Sequence, residues 1–183
     1  APGVVALNGK IYAIGGRDPD RATVNTTAIY DPATDAWTLG APLPEARDHL
    51  GIAVLNGRIH VFGGRTNATV DNTTRHDIYN PATDTWSDGA PLNIARSAGV
   101  VFTINGRIVW AGGECKDADA RTTFDDVEVF DAAANRWTVL ANMPIGRHAA
   151  AGVTVGDVGY VMGGANGCGT VRQTKDISAF RMQ

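Results

Sequence analysis

The chain is poor in lysine, in cysteine and in net charge. Of its 183 residues, 3 are lysine and 2 are cysteine, and the formal net charge is −3. Phosphate contacts require a basic surface, so this charge balance argues against nucleic acid as a partner. The sequence also has no run that approaches the roughly 20 apolar residues needed to cross a bilayer, so we predict no membrane span.

The patterns that mark metal, nucleotide and cofactor sites are missing as well. The four histidines and two cysteines are not spaced so that three or four metal ligands would come together locally. The glycine-rich segment 163–169 follows a predicted strand, but it opens no helix and carries no Lys-Ser/Thr, which excludes a P-loop. We therefore expect no metal, no cofactor and no identifiable catalytic residue, and enzyme activity is left open but disfavoured.

Paired glycines recur along the chain at a period near 50 residues. The second glycine of each pair stands at position 16, 64, 113 or 164, in steps of 48, 49 and 51, and three tryptophans keep step at 49 and 51. Such a period, with paired glycines and one tryptophan per repeat, is typical of a propeller blade. We interpret the following repeated residues as structural: Gly15, Gly16, Trp37, Arg47, Gly63, Gly64, Trp86, Arg96, Gly112, Gly113, Trp137, Arg147, Gly163 and Gly164.

Each repeat consists of short apolar or alternating stretches bounded by turn residues, which predicts strands rather than helices. The first two strands flank Asn8-Gly9 or its equivalents, a pair that suits a two-residue hairpin with positive φ angles. A third strand ends at an aromatic residue, and a fourth carries the tryptophan. Four antiparallel strands per repeat predict an all-β propeller. The expected blades are approximately 1–46, 47–95, 96–146 and 147–183.

The double glycine, the aromatic residue seven positions before the tryptophan and the arginine ten positions after it resemble the kelch repeat over the whole chain. The fourth repeat stops after its third strand, and the first begins beyond the position of its arginine. Kelch rings usually contain more than four blades. The resemblance therefore favours a segment of a larger ring, with self-association of two chains as the next alternative and a closed four-bladed ring as the third.

Length varies in only one connection of the repeat. From the second glycine to the third-strand aromatic residue the interval is 14, 15, 17 or 16 residues, whereas the other intervals are constant. A connection that tolerates insertion is a surface loop, and surface loops on a rigid scaffold commonly bind ligands. The kelch resemblance implies that these loops gather on one face with the residues that follow each blade-opening arginine. The candidate ligand-binding residues are Arg17, Arg65, Asp48, His49, Ser97 and His148.

Arg17 and Arg65 both follow a double glycine. Their guanidinium groups could together hold a carboxylate or phosphate, or each could cap a local turn carbonyl or pair with Asp18 or another loop acid. As loop side chains, they are expected to be replaceable without loss of folding. His49 and His148 are candidates for proton transfer, with polar residues at the rim as the alternative reading.

Cys115 and Cys168 lie in equivalent loops of neighbouring repeats. They could form a disulfide between blades, or they could be two free thiols. Asn25, Asn67 and Asn72 begin N-x-T sequons in the variable loops and are potential glycosylation sites. Together these features slightly favour a secreted or periplasmic protein.

The leading functional interpretation is a kelch-type binding module that engages a protein or carbohydrate partner through the variable loops. The alternative is a secreted or periplasmic enzyme that acts on a sugar or a related small molecule in the propeller funnel. A histidine that meets an acid in a deep polar pocket would favour the enzyme, whereas a broad rim would favour the binding module.

Overall fold

The computed structural model describes residues 1–66, 71–117, 122–169 and 172–182. These residues form 17 β-strands and contain no α-helix. Consequently no helix in the described part of the chain could span a membrane.

The first three blades are four-stranded antiparallel sheets in which strand order follows chain order. The first blade comprises β1 (Gly3–Leu7), β2 (Lys10–Ile14), β3 (Thr27–Asp31) and β4 (Ala36–Leu39). The second comprises β5 (Gly51–Leu55), β6 (Arg58–Phe62), β7 (His76–Asn80) and β8 (Thr85–Asp88). The third comprises β9 (Val100–Ile104), β10 (Arg107–Asp117), β11 (Thr122–Asp131) and β12 (Arg136–Val139).

The fourth blade has three strands, in the order β13 (Ala151–Val155), β14 (Val158–Met162) and β17 (Ile177–Arg181). A two-stranded ladder of β15 (Ala165–Asn166) and β16 (Arg172–Gln173) lies within its long loop. The predicted fold class, an all-β propeller whose last blade lacks its outer strand, is confirmed.

The hairpins between first and second strands have the predicted turn chemistry. Asn8 and Gly9 have φ angles of 52° and 77°, as a type I′ turn requires, and the next two blades repeat this geometry. In the fourth blade Gly156 has a φ of 61°, but Asp157 does not have a positive φ. A type II′ turn requires a positive φ only at the first of its two central residues, which is commonly glycine. The fourth hairpin therefore closes by a different type of turn from the other three.

The double glycines form backbone joints between successive blades. The amide of Gly16 donates to the carbonyl of Arg47 at 3.0 Å, and Gly64 and Gly113 donate in the same way to the arginines that open the third and fourth blades. A Cβ atom on Gly15 would lie 2.6 Å from the Arg47 carbonyl oxygen. The repeat therefore requires glycine here because two backbones approach too closely for a side chain.

The blade-opening arginines are buried within their own blades. Arg47 Nη2 lies 2.6 Å from Asp77 Oδ2, and Arg96 Nη1 lies 2.5 Å from Glu128 Oε1. Arg147 instead bonds to the Ser178 hydroxyl group and to a backbone carbonyl. All three arginines are at most 1% exposed, so each needs the carboxylate or oxygen partners that its third strand supplies.

The outer-strand tryptophans of the second and third blades, Trp86 and Trp137, face the preceding blade. Trp86 Nε1 donates to the Ala41 carbonyl of the first blade at 2.8 Å, and Trp137 packs against Phe62 of the second blade with ring centroids 5.0 Å apart. Trp37 belongs to the first blade and is 60% exposed. Trp86 therefore packs against the first blade, whereas the described residues leave most of the Trp37 ring uncovered.

The outer faces of the two terminal blades are apolar and exposed. Val4 and Leu39 on the first blade are 56% and 77% exposed, and Val155 and Ile177 on the fourth are 64% and 66% exposed. A closed four-bladed ring would cover these faces with each other. The four blades therefore form an open arc, and the closed-ring alternative is not what the structure shows.

Two histidines that look like ordinary strand residues in the sequence form a buried pair. His60 Nδ1 and His76 Nε2 are 3.0 Å apart, between the second and third blades. Phe130 packs against both rings, with centroids 5.5 and 4.7 Å away. Burial, together with the neighbouring His76, lowers the pKa of His60 to about 4, and burial lowers the pKa of His76 to about 4 as well. Both rings are therefore neutral at pH 7.

Candidate functional site

Three residues in the left-handed backbone conformation line the inner rim of the arc. His49, Ala98 and Ala149 occupy the same position in successive blades, with φ angles of 52°, 56° and 50°. The amide of Ala98 donates to the carbonyl of His49 at 2.8 Å, and the amide of Ala149 donates to that of Ala98 at 3.4 Å. Non-glycine residues adopt this conformation at a cost, and here the hydrogen bonds from blade to blade stabilise it.

Short β-bridges bring the two sets of candidate residues together on this rim. Within the second blade Asp48 pairs with Arg65, within the third Ser97 pairs with Glu114, and within the fourth His148 pairs with Ala165. The residues that follow the blade-opening arginines thus lie beside those that follow the double glycines, as the kelch resemblance implied.

Asp48 is the centre of the charged contacts. This fully buried carboxylate lies 2.7 Å from Arg17 Nε, 3.1 Å from Arg65 Nε and 2.8 Å from His49 Nδ1. Burial acts to raise the pKa of Asp48, but the hydrogen bond from His49 and the nearby positive charges outweigh it and hold the pKa below its ordinary value. Asp48 is therefore ionised and joins the first blade to the second.

Glu114 extends the charged contacts to the remaining blades. Its Oε2 lies 3.2 Å from Arg65 Nη1, and its Oε1 accepts a hydrogen bond from the Gly169 amide at 3.2 Å. A continuous path of polar contacts thus runs through all four blades. Glu114 was not among the candidates, although it occupies the same position after a double glycine as Arg17 and Arg65.

The expectation that both arginines can be replaced without loss of folding rests on their being surface side chains, and for Arg65 that premise is wrong. Arg65 is 8% exposed and contacts two carboxylates, because the loop that carries it folds back onto the rim. Arg17 is half-buried and pairs with Asp48. The acids that contact the two arginines are Asp48, which follows a blade-opening arginine, and Glu114 of the adjacent blade, rather than acids of the arginines' own loops. A ligand-binding role for either arginine stays a prediction.

A pocket of about 400 Å³ lies at the centre of the rim. Its polar lining consists of His49, Glu114 and His148, and its floor includes Ala98 and Ala149. Burial and the charge of Arg65 lower the pKa of His49, against the opposing effect of Asp48. The pocket therefore presents a neutral imidazole beside charges that are already paired.

Three consecutive residues of the fourth-blade loop attach to this site. The Gly167 carbonyl oxygen lies 3.2 Å from His148 Nε2, Cys168 forms a disulfide with Cys115, and the Gly169 amide bonds to Glu114. The Cα atoms of the two cysteines are 4.6 Å apart. This disulfide crosses from the third blade to the fourth, next in sequence to Glu114, which lines the pocket.

The remaining sequence candidates have the following positions. Asn25 is exposed, Asn72 is half-buried, and Asn67 lies outside the described residues. Ser97 is fully buried behind the rim. Within the described ranges no group of three or more His, Cys, Asp or Glu side chains is placed to hold a metal ion.

The fold and the rim define a propeller of the kelch type. The KLHDC2/KLHL20/DRC7 Kelch-repeats domain family matches residues 3–183, and the chain therefore belongs to the kelch-repeat family. The solved structure of YjhT superposes with a TM-score of 0.78 at 18% identity over 90% of this chain and 59% of that one.

Several curated kelch proteins are similar to the chain. It is 30% identical to the Kelch-like protein terF of Aspergillus terreus over 85% of its length, and 46% identical to the Kelch-like protein 22 of Xenopus tropicalis over 33% of its length. It is also 36% identical to the mouse Influenza virus NS1A-binding protein homolog over 38% of its length. The chain spans between 10% and 25% of the lengths of these relatives.

Proposed function

We propose that this kelch domain is a protein-binding module whose partner docks on the loop face, with one side chain in the pocket lined by His49, Glu114 and His148. The observation that carries the proposal is this pocket of about 400 Å³ on a rim that ion pairs and a disulfide hold in place. A rigid rim loses little conformational entropy when a partner binds, which favours affinity.

The charges of the rim indicate what kind of group would bind. Arg17 and Arg65 are already balanced by Asp48 and Glu114, and His49 is neutral. An added anion or cation would have to compete with these existing pairs. The geometry therefore favours an uncharged hydrogen-bonding group, such as the hydroxyl or amide side chain of a protruding loop.

Sugar hydroxyl groups share this chemistry, so a carbohydrate ligand is the second form of the binding proposal. The disulfide supports an oxidising compartment, where both glycoproteins and extracellular partners occur.

The test is a parallel screen of a peptide library and a glycan array against the wild type and a His148→Ala variant. His148 is half-buried on the rim, so its loss removes a pocket wall with little effect on folding. We expect at least a tenfold loss of affinity for any selected ligand, the equivalent of about 1.4 kcal/mol. Arg58→Ala, on the distant hairpin between β5 and β6, is the matched control and should bind normally. Equal binding by all three proteins would place the site elsewhere.

The contact between His49 and Asp48 supports the enzyme as a second candidate function. The Asp48 carboxylate lies 2.8 Å from Nδ1 and orients the ring, but Arg65 Nη2 lies 3.2 Å from Nε2, so the ring could act as a general base only after Arg65 moves away from Nε2. Burial and the charge of Arg65 lower the pKa of His49, which favours the neutral ring that such a base requires. Activity on a panel of small sugars that disappears in His49→Gln, while His148→Ala keeps part of it, would favour this reading. Inactivity of the wild type on the whole panel would argue against it.

A further inference from the structure

The hydroxyl group of Thr27 is buried without a partner. Thr27 is the first residue of β3 and is 1% exposed, and its Oγ1 has no hydrogen-bond partner among the described residues. A hydroxyl group that leaves water without gaining a hydrogen bond destabilises the folded state. Valine has nearly the same shape and is also β-branched, so the packing of the blades alone would favour valine at this position.

The equivalent positions in the other blades do not leave a polar group unpaired. Each equivalent residue stands three positions before the aromatic residue of its third strand, and the four are Thr27, His76, Val127 and Ile177. His76 is polar, but its ring nitrogens lie 3.1 Å from the Ala90 carbonyl oxygen and 3.0 Å from His60. Val127 and Ile177 are apolar. The repeat therefore does not require a hydroxyl group at this position, and the one on Thr27 needs another explanation.

Thr27 is also the third residue of the sequon Asn25-Thr26-Thr27. An N-x-Ser/Thr sequon marks an acceptor for N-linked glycosylation, and the reaction requires the hydroxyl residue at the third position. The transferase reads the sequon in an extended chain, so a hydroxyl group that the folded protein buries is still available while the chain is unfolded. The modification therefore accounts for a hydroxyl group that the fold does not use.

Asn25 has the exposure that an attached sugar needs in the folded protein. It lies in the loop between β2 and β3, where its backbone carbonyl accepts a hydrogen bond from the Leu43 amide at 2.8 Å while the residue itself is exposed. Asn72, which begins another sequon, is half-buried, and its Oδ1 is enclosed by the protein. Of the two sequon asparagines in the described ranges, Asn25 is therefore the one that leaves room for a glycan.

We propose that Asn25 carries an N-linked glycan and that Thr27 is retained as the hydroxyl residue of its sequon. The donor is an oligosaccharide linked to a lipid pyrophosphate. Asn25 Nδ2 forms a bond to C1 of the first sugar, the bond from C1 to the pyrophosphate oxygen breaks, the lipid pyrophosphate leaves, and Nδ2 loses one proton to a base of the transferase. The disulfide independently fits the oxidising compartment in which this reaction takes place. The inference does not depend on what docks in the pocket.

The test is to secrete the chain from cultured mammalian cells and to map its peptides before and after treatment with peptide N-glycosidase F. That enzyme converts a glycosylated asparagine to aspartate, and trypsin places Asn25 in the peptide 22–47, apart from the other two sequons in the peptide 66–75. We expect the peptide 22–47 to carry a glycan in most molecules of the wild type and in none of Thr27→Val. Thr26→Val makes the same side-chain change one residue earlier, keeps the sequon and should be glycosylated like the wild type.

The stability of the unglycosylated protein tests whether the fold uses the hydroxyl group. The wild type and Thr27→Val, both made in bacteria that lack the transferase and both with the disulfide formed, are compared by urea denaturation. Thr27→Val should unfold at the same or a higher urea concentration, because it removes a buried hydroxyl group that has no partner among the described residues. Unfolding of Thr27→Val at a lower urea concentration would show a structural role for the hydroxyl group and would overturn the inference. An unmodified peptide 22–47 in the secreted wild type, or loss of its glycan in Thr26→Val, would overturn it as well.

Discussion

The guanidinium group of Arg65 and the carboxylate of Glu114, 3.2 Å apart, join the second blade to the third at the inner rim. The two residues occupy the same position in adjacent repeats, and one carries a positive and the other a negative charge. A repeat protein with identical residues at this position would place like charges side by side. The difference between two repeats is therefore what lets the blades attract each other here.

The first prediction concerns Arg65 itself. Arg65→Met should lower the free energy of unfolding by about 3 kcal/mol, because it removes one partner from the buried Asp48 and one from Glu114. Urea denaturation measures the change, with exposed Arg58→Met as a control that should stay within about 0.5 kcal/mol of the wild type. A loss below about 1 kcal/mol for Arg65→Met would show that the ion pairs on the rim do not stabilise the fold.

The second prediction concerns the disulfide. Cys115 and Cys168 are 53 residues apart, and closing a loop of that length in the unfolded chain should stabilise the fold by about 4 kcal/mol on the chain-entropy account. Cys115→Ser/Cys168→Ser should therefore unfold at lower urea concentration than the oxidised wild type. The same variant should exchange the amide of Gly169 faster, since the disulfide holds that amide near Glu114. If the variant and the oxidised wild type unfolded at the same urea concentration, the disulfide would not stabilise the fold.

The third prediction is a pH dependence that originates in the pair of His60 and His76. Their pKa values of about 4 in the folded state lie below the ordinary value of 6.5, so the unfolded chain binds more protons between these limits. The free energy of unfolding should therefore fall as the pH drops from about 6.5 to about 4, by up to about 3 kcal/mol per histidine. Urea denaturation at several pH values in this range measures how steeply the free energy of unfolding changes with pH. This dependence should be weaker in His60→Gln/His76→Gln. If the double substitution left the pH dependence unchanged, the dependence would have to come from other titratable side chains.

The fourth prediction compares the tryptophans. Trp137 is 3% exposed and Trp86 is half-buried, so replacing either by alanine should cost about 3 to 5 kcal/mol through lost packing and a cavity. Trp37→Ala should cost less than about 1 kcal/mol, because its ring is 60% exposed. Thermal denaturation of the three variants gives the ranking. An equal cost for all three would mean that the first blade is covered in solution.

The fifth prediction concerns self-association through the exposed face of the first blade. Val4, Ile11, Trp37 and Leu39 form a contiguous apolar surface, which favours association with a second copy or with further blades. Light scattering should show dimers or larger species that become fewer in Trp37→Ser/Leu39→Ser. A monodisperse wild-type monomer at high concentration would contradict this expectation.

The blades could be predicted from the sequence because their determinants are local. Asn8-Gly9 and its equivalents fix a hairpin within two residues, and the register of a hairpin follows from its turn. The tryptophan and the aromatic residue before it are likewise joined by a short turn of constant length. Each strand pair thus depends on neighbours that are close in sequence.

The contacts of the site could be predicted only in part, because they cross loops of variable length. The sequence placed Asp48, His49 and Arg65 on one face, but it could not show that Arg65 turns inward to pair with Glu114, 49 residues away. The pairing of His60 with His76 was missed for the same reason. The register between β6 and β7 depends on the variable loop, so the sequence does not show which residues of the two strands lie side by side.

The positions of the disulfide and the ion pairs have a mechanical consequence. The disulfide and the ion pair between Arg65 and Glu114 lie at the inner rim, whereas hydrogen bonds of the Ala41 carbonyl with Trp86 and of the Ala41 amide with Asp84 join the outer parts of the first two blades. The chain's one disulfide thus lies at small radius, and we expect thermal motion that widens the arc to rotate the blades about the inner rim. In such a motion we expect distances across the pocket to change little, while the gaps between the outer strands open and close.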